Sequence, residues 1–271
     1  MSNEIHPLAS VAKGARLGKG NVIGPFAVIE EDVVLGDNNR LHGHAMLRNG
    51  TRLGEGNVVH PFAVLGGEPQ DLGFKGFDSQ VVVGDRNTFR ESVTVHRSTQ
   101  QDGITRIGND CFLMANVHIG HDCILADHVV VAPSSGLGGF VEVEERAFIS
   151  GGVMVHQFCH IGRNAMIGGN AKVIKDALPF YITDGTPARV RGVNLIGLRR
   201  SGFSADEIRD IRRAYRILLR SGLSLREALA CLRENESPWV AHLCEFISRS
   251  RRSFHRVARE RDRQSREGNS E

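Results

Sequence analysis

The chain has 271 residues, with 34 Lys and Arg against 31 Asp and Glu, a formal net charge of +3. Its apolar runs fall well short of the roughly 18–20 residues of a membrane-spanning helix. The N-terminal MSNEIHPLAS has neither a basic start nor an apolar stretch, so neither a membrane anchor nor a secretory leader is expected. Five cysteines without a CxxC pair exclude a disulfide framework and a four-cysteine zinc site, and they suit a reducing compartment.

From Ile5 onward every sixth residue is aliphatic, through Val11, Leu17 and Ile23 to Leu65; the series resumes in phase at Val83 and at Ile107 and runs to Val173. Of the 29 positions from 5 to 173, only Asp71 and Gln101 are polar, and glycine often follows the aliphatic, as at Gly18, Gly36 and Gly138. A period of six fits neither a helix, at about 3.6, nor an alternating strand, at about 2. It fits short strands joined by bends, each pointing one aliphatic inward. Three such strands close a triangular coil, and coils stack about 4.8 Å apart as a hexapeptide parallel β-helix. Glycines would relieve crowding at the bends. The period does not fix handedness.

Residues 1–190 are therefore read as the β-helix, with loops thrown out at about 66–82 and 97–106. The steps across these loops are multiples of six, so the phase survives. Loops on a rigid scaffold are favoured places for function. Residues 191–271 are read as a small helical domain. Ser204 with Glu207 and Ser224 with Glu227 are capping-box patterns, and Ser237-Pro238 suits a third helix start. That third helix is expected to fray into the Arg-rich tail 259–271, disordered at its end. Residues 192–271 hold 17 Arg, no Lys and 11 acids, whereas residues 1–191 hold 17 basic and 20 acidic residues. The basic part carries no nucleic-acid motif and no interleaved aromatics, so an acidic carrier protein is the better anionic partner.

The densest chemistry is His118-Ile119-Gly120-His121-Asp122. Ile119 points inward, which leaves His118 and His121 near a corner. One coil later Gly139 stacks beside His121, and His156 stacks over Gly138. A histidine beside an uncovered backbone N–H can act as a general base next to an oxyanion site. Surface or inter-subunit hydrogen bonding is the plainer role for such outward histidines. Zinc held between chains by His96, His118 and His121 is a third reading.

The segments QDL (70–72), GDRNTFRESVTVHRST (84–99), HIGHDC (118–123), VHQFCHIG (155–162) and GVNLIGLRRSGFS (192–204) together resemble the acyl-ACP:UDP-N-acetylglucosamine 3-O-acyltransferase family. The resemblance spans nearly the whole chain. It implies a left-handed parallel β-helix followed by a small C-terminal α-helical domain. It also implies a cytoplasmic homotrimer without stable membrane insertion, whose active sites lie between adjacent subunits. The implied reaction moves a 3-hydroxyacyl chain from acyl carrier protein to the 3-hydroxyl of UDP-N-acetylglucosamine, beginning lipid A synthesis, with no metal, no cofactor and no nucleic acid. His121 matches the family's general base, Asp122 its orienting partner, and the Gly139 N–H its oxyanion donor. Asp71, beside Gln70, matches the sugar-contacting aspartate. His118, His156 and Gln157 match the lining of the nucleotide-sugar and acyl pockets, and Asn194 and Arg200 match positions that meet the nucleotide and its phosphates. Gly169 matches the floor of the acyl slot, where glycine implies a longer chain. Phe140, Gly73 and Pro187 depart from the family's usual His, Lys and His, and Lys75 stands close to Gly73. A paralogue acylating the oxygen or nitrogen of another nucleotide sugar is the alternative; a non-catalytic trimer is a further one.

Overall fold

A computed structural model describes residues 2–257. The Arg-rich tail 259–271 lies outside the described residues. Within them, 28 short strands form three sheets of 11, 9 and 8 strands, and each sheet takes every third strand in chain order until the last coils. The result is a left-handed parallel β-helix of triangular section. Paired residues lie one coil apart, as Ile23 with Leu41 and Leu41 with Val59. Val59 pairs across the first loop with Phe89, and Phe89 pairs across the second with Leu113. Both insertions are whole hexads, so each aliphatic still points inward.

The interior holds one continuous cluster from Ile23 to Ala177. Each fully buried Leu, Ile or Val contributes roughly 1.5–3 kcal/mol. Among the described residues nothing packs beneath the first coil, and Ile5 is 45% exposed. Beside the aliphatics runs a buried amide ladder of Asn21, Asn39, Asn57 and Asn87. Each side-chain oxygen accepts the backbone N–H of the next member at 2.8 or 2.9 Å, and Cys111 closes the ladder on Asn87. Every rung satisfies a buried polar group. The glycine that follows the aliphatic serves close approach: a Cβ on Gly36 would lie 2.6 Å from the Gly54 carbonyl oxygen. Positive φ falls mostly on other residues, including Asn38, Asp122 and Phe140.

Three boundaries differ from expectation. The loops are narrower than 66–82 and 97–106, because Val64–Gly67, Gln80–Val83 and Ile104–Ile107 are strands. Gln80–Val83 pairs residue for residue with Ile104–Ile107, so its β-branched run stays in the sheet and the loops shrink to 68–79 and 97–103. The division at 190/191 cuts the strand Arg189–Val193, which forms an antiparallel hairpin with Tyr181–Asp184. Leu178, Phe180, Tyr181 and Val190 already pack with the helical body.

That body comprises α1 (Leu195–Arg200), α2 (Ala205–Arg220), α3 (Leu225–Arg233) and α4 (Pro238–Arg249). Both capping boxes are present, Ser204–Glu207 on α2 and Ser224–Glu227 on α3, whereas Ser237 makes no side-chain cap on α4. The third predicted helix, α4, does not fray. After Ser250 the chain returns to the coil, where Phe254 bridges Asp176 and the His255 N–H donates to the Asp176 carbonyl at 2.9 Å. Glu144 ties α4 to the coil. Its carboxylate lies 2.8 Å from His242 Nε2 and 3.2 Å from His160 Nε2. Burial pushes this carboxyl up, but hydrogen bonds with His160 and His242 and from the Arg163 N–H hold its pKa at about 2.

Candidate active site

His118 and Ile119 form a two-residue strand, and the chain turns at Gly120–Asp122. Asp122 takes the left-handed conformation, φ 60°. That bend brings two sequence neighbours onto one face, with Asp122 Oδ2 2.9 Å from His121 Nδ1. The carboxylate is held from its other side by the second loop. Ser98 Oγ donates to Oδ1, and Thr99 donates to Oδ2 through Oγ1 at 2.8 Å and its backbone N–H at 3.1 Å. The Asp122 N–H donates to Thr105 Oγ1 at 2.8 Å. Burial raises the Asp122 pKa, but the bonds with Ser98, His121 and Thr99 outweigh it and keep the carboxyl below its usual range. An ionised Asp122 fixes the Nδ1–H tautomer of His121 and leaves the Nε2 lone pair as the basic atom.

Nε2 faces three features. Asp71, carried in by the first loop, places Oδ2 3.8 Å away. Gly139 lies beneath the ring, so close that a Cβ would stand 2.5 Å from Nε2 and 2.2 Å from Cε1. Its N–H makes no hydrogen bond among the described residues. Phe140 meets the imidazole edge-on at 5.3 Å and stacks on Phe158 at 4.8 Å. His121 is buried except for 8% of its surface. An imidazole held by a carboxylate and an unpaired backbone N–H thus share one corner, an arrangement that can serve proton transfer beside a developing oxyanion.

The other expected residues are distributed around and beyond this corner. His118 Nδ1 is 2.9 Å from Thr94 Oγ1, and its ring meets His96 edge-on at 4.8 Å. Burial, reinforced by His121, lowers the His118 pKa; burial, with His118 and His121, takes His96 down to about 4. Among the described residues no group of three or more His, Cys, Asp or Glu is arranged to hold a metal. Gln70 is exposed beside Asp71. His156 and Gln157 are exposed one coil on, with His156 Nδ1 3.1 Å from the Gln157 carbonyl. Among the described residues, no hydrogen bond or ion pair joins Asn194, Arg200 or Gly169 to the His121 corner. Asn194 is buried, caps α1 by accepting the Gly197 N–H at 3.0 Å, and donates to the Asn164 carbonyl at 3.0 Å. Arg200 is exposed in the last turn of α1. Gly169 is exposed, and a Cβ there would meet only the Gly151 carbonyl at 3.5 Å. Neither crowding nor positive φ therefore requires glycine at 169.

Sequence reasoning missed Ser98, Thr99 and Thr105. The signal was present in the pairing offset: Thr94 pairs with His118, and Ser98 stands as far before Asp122. It also missed Arg249, Arg251 and Arg252, which line a groove of about 900 Å³ that opens beside Phe140 and Phe158.

Known proteins resemble the chain over nearly its whole length. Residues 176–255 match the family model described as Udp N-acetylglucosamine O-acyltransferase, domain 2, and residues 104–139 match the bacterial transferase hexapeptide model. An acyl-[acyl-carrier-protein]--UDP-N-acetylglucosamine O-acyltransferase from Paraburkholderia phymatum is 41% identical over 260 residues, covering 93% of this chain and 99% of the relative. The chain belongs to the acyl-[acyl-carrier-protein]--UDP-N-acetylglucosamine O-acyltransferase family. Another member of this acyltransferase family, from Halorhodospira halophila, is 44% identical over 254 residues, 92% of this chain and 98% of the relative. A crystal structure of the UDP-N-acetylglucosamine acyltransferase from Bacteroides fragilis superimposes with a TM-score of 0.91 at 39% identity, covering 94% of this chain and 100% of that one. Among the described residues no helix is long and apolar enough to cross a membrane.

Proposed function

We propose that this acyltransferase moves a 3-hydroxyacyl group from acyl carrier protein to the 3-hydroxyl of UDP-N-acetylglucosamine, with His121 as the general base. The observation that carries the base assignment is the His121 corner, where Asp122 secures Nδ1 and Nε2 opens over the bare Gly139 backbone. Nε2 takes the proton of the sugar hydroxyl as its oxygen attacks the thioester carbonyl. The developing oxyanion is received by the Gly139 N–H, a donor type worth roughly 3–4 kcal/mol in the transition state. Collapse of the tetrahedral intermediate breaks the carbon–sulfur bond, and the proton on His121 passes to the leaving thiolate. Asp71 contacts the sugar from the first loop, with Gln70 beside it. His118, His156 and Gln157 line the pockets, and Asn194 and Arg200 serve the nucleotide end. The open surface at Gly169 supports a longer acyl chain.

The same reading makes the protein a cytoplasmic homotrimer that starts lipid A synthesis, with each site completed by an adjacent subunit. Outward residues on the 11-stranded face support the assembly, since Phe112, Val130, Phe148, Met166 and Ile182 form an apolar row across five coils. Arginines in the region 199–220 are proposed to dock the acidic carrier, and charge reversal there raises the donor KM while sparing nucleotide-sugar binding.

The test is mass spectrometry of products formed from UDP-N-acetylglucosamine and a ladder of 3-hydroxyacyl carrier proteins. A single O-acylated product is expected, lost by a factor of roughly 100 or more in His121→Ala. The ladder reads the chain length. Phe140, which offers His121 an edge without a hydrogen-bonding group, favours one second reading, a different acceptor. A product formed only with another nucleotide sugar would establish it.

A further inference from the structure

The two loops leave successive coils and are stitched together where they meet. The Asp102 N–H donates to the Asp78 carbonyl at 2.7 Å, and Ser79 Oγ donates to the Ser98 carbonyl at 2.6 Å. The Arg97 N–H donates to the Gly67 carbonyl at 2.9 Å. The three residues at the root of the second loop therefore lie between the first loop and the His121 corner.

Their side chains diverge. Arg97, with only 16% of its side chain exposed, turns toward the first loop. Its guanidinium lies 3.6 Å from Glu68 Oε1, 3.5 Å from the Phe77 carbonyl, and 5.5 Å from the centre of the Phe74 ring. These three contacts bracket Asp71. The Asp71 carboxylate is itself held locally, accepting the Gly73 N–H at 2.6 Å. The loop as a whole is thus fixed to the coil by Arg97. Ser98 and Thr99 turn the other way and supply three donors to Asp122.

We propose that Arg97-Ser98-Thr99 is a single positioning unit that aligns both sides of His121. Ser98 and Thr99 hold the Asp122 carboxylate against Nδ1, and Arg97 holds the loop that presents Asp71 to Nε2. None of the three touches the reacting atoms. The inference rests on the proposed acyl transfer, because it assigns Asp122 to the base and Asp71 to the sugar.

The two halves of the unit have separable consequences. Removing donors from Asp122 concentrates its charge on the remaining partner, the imidazole, and so favours the protonated ring. Loosening the first loop leaves that pairing alone and draws the Asp71 charge away from Nε2, which favours the neutral ring.

The experiment compares Ser98→Ala, Thr99→Val, Arg97→Ala and Arg97→Lys in the full chain, with thermal melting and light scattering as controls for folding and assembly. In Ser98→Ala and Thr99→Val, kcat falls and its acid limb moves up by about one pH unit, with the nucleotide-sugar KM nearly unchanged. In Arg97→Ala, the nucleotide-sugar KM rises by about tenfold with kcat retained and no upward move of the acid limb, and Arg97→Lys recovers part of the loss because a cation again sits over Phe74. A falling kcat at constant KM in Arg97→Ala overturns its role. An unmoved acid limb in both Ser98→Ala and Thr99→Val overturns theirs.

A wild-type chain without acyl-transfer activity rejects the proposed function, not the positioning unit. The unit is then read from the NMR titration of the His121 ring and from amide exchange over residues 68–79. Ser98→Ala shifts the titration upward, and Arg97→Ala speeds exchange in the loop without an upward shift. Absence of both effects overturns the unit as well.

Discussion

At the scale of single residues, the site depends on an atom that is missing. Gly139 lies outside the left-handed region, so alanine suits its backbone. The nearest obstacle to alanine is the imidazole, 2.2 Å from the position of the new Cβ. Gly139→Ala is therefore expected to push His121 off the Gly139 N–H and to lower kcat by roughly 100-fold or more. The fold should survive, because the atoms nearest the new Cβ belong to a side chain, which can turn away. Steady-state kinetics with a thermal melt check both halves, and a variant with full kcat would separate His121 from the backbone donor. This pairing was legible in the sequence, since His121 and Gly139 stand one coil apart in a period that runs over many coils. Ser98 and Thr99 were not, because the hexad period says where a loop leaves the coil and nothing about where its tip folds back.

At the scale of elements, local signals were readable and packing signals were not. The boxes at Ser204 and Ser224 announce α2 and α3 because their partners lie three residues away. Short α1 carries no acidic residue in its first turn, so its cap Asn194 has no capping-box partner to announce it. The hairpin Tyr181–Asp184 with Arg189–Val193 was hidden because it stands past the last hexad at Val173 and pairs antiparallel, where a six-residue period gives no signal. The return of residues 251–257 to the coil rests on distant partners. Ser250 Oγ donates to Asp176 Oδ2 at 2.5 Å, and the Lys175 N–H donates to His255 Nε2 at 3.3 Å. Burial lowers the His255 pKa to about 4; a hydrogen bond with the Ala188 backbone opposes the shift, and Lys175 and Arg189 add to it. Between about 6.5 and about 4 the unfolded or detached segment binds a proton that the docked one does not, so docking weakens as pH falls through that window. Amide exchange at residues 253–257 should therefore accelerate on acidification more than exchange in the coil, once both are corrected for intrinsic rates. His255→Gln should flatten that difference, and an unchanged pH dependence in the variant would place the proton elsewhere.

At the scale of the whole molecule, the three faces are unlike in a way the interior does not explain. Every face sends its aliphatics inward, so one chain completes its own core. Outward, the 8-stranded face alternates charge with apolar groups, Arg16, Arg52, Arg106 and Glu142 being separated by Val34, Val82 and Ile124. Over its later coils the 11-stranded face carries the apolar row from Phe112 to Ile182, where Phe148 is 39% exposed. Apolar surface aligned over successive coils is what a packing partner removes from water, and a second copy is the partner that the proposed trimer supplies. Phe148→Asp places a charge in the middle of that row and takes nothing from the core, because Ile149 is the residue that points inward. The variant is expected to keep its circular dichroism while its mass in sedimentation falls from trimer to monomer. Activity should fall with it, since the proposed site is complete only between subunits. A Phe148→Asp trimer with wild-type turnover would move the interface to another face.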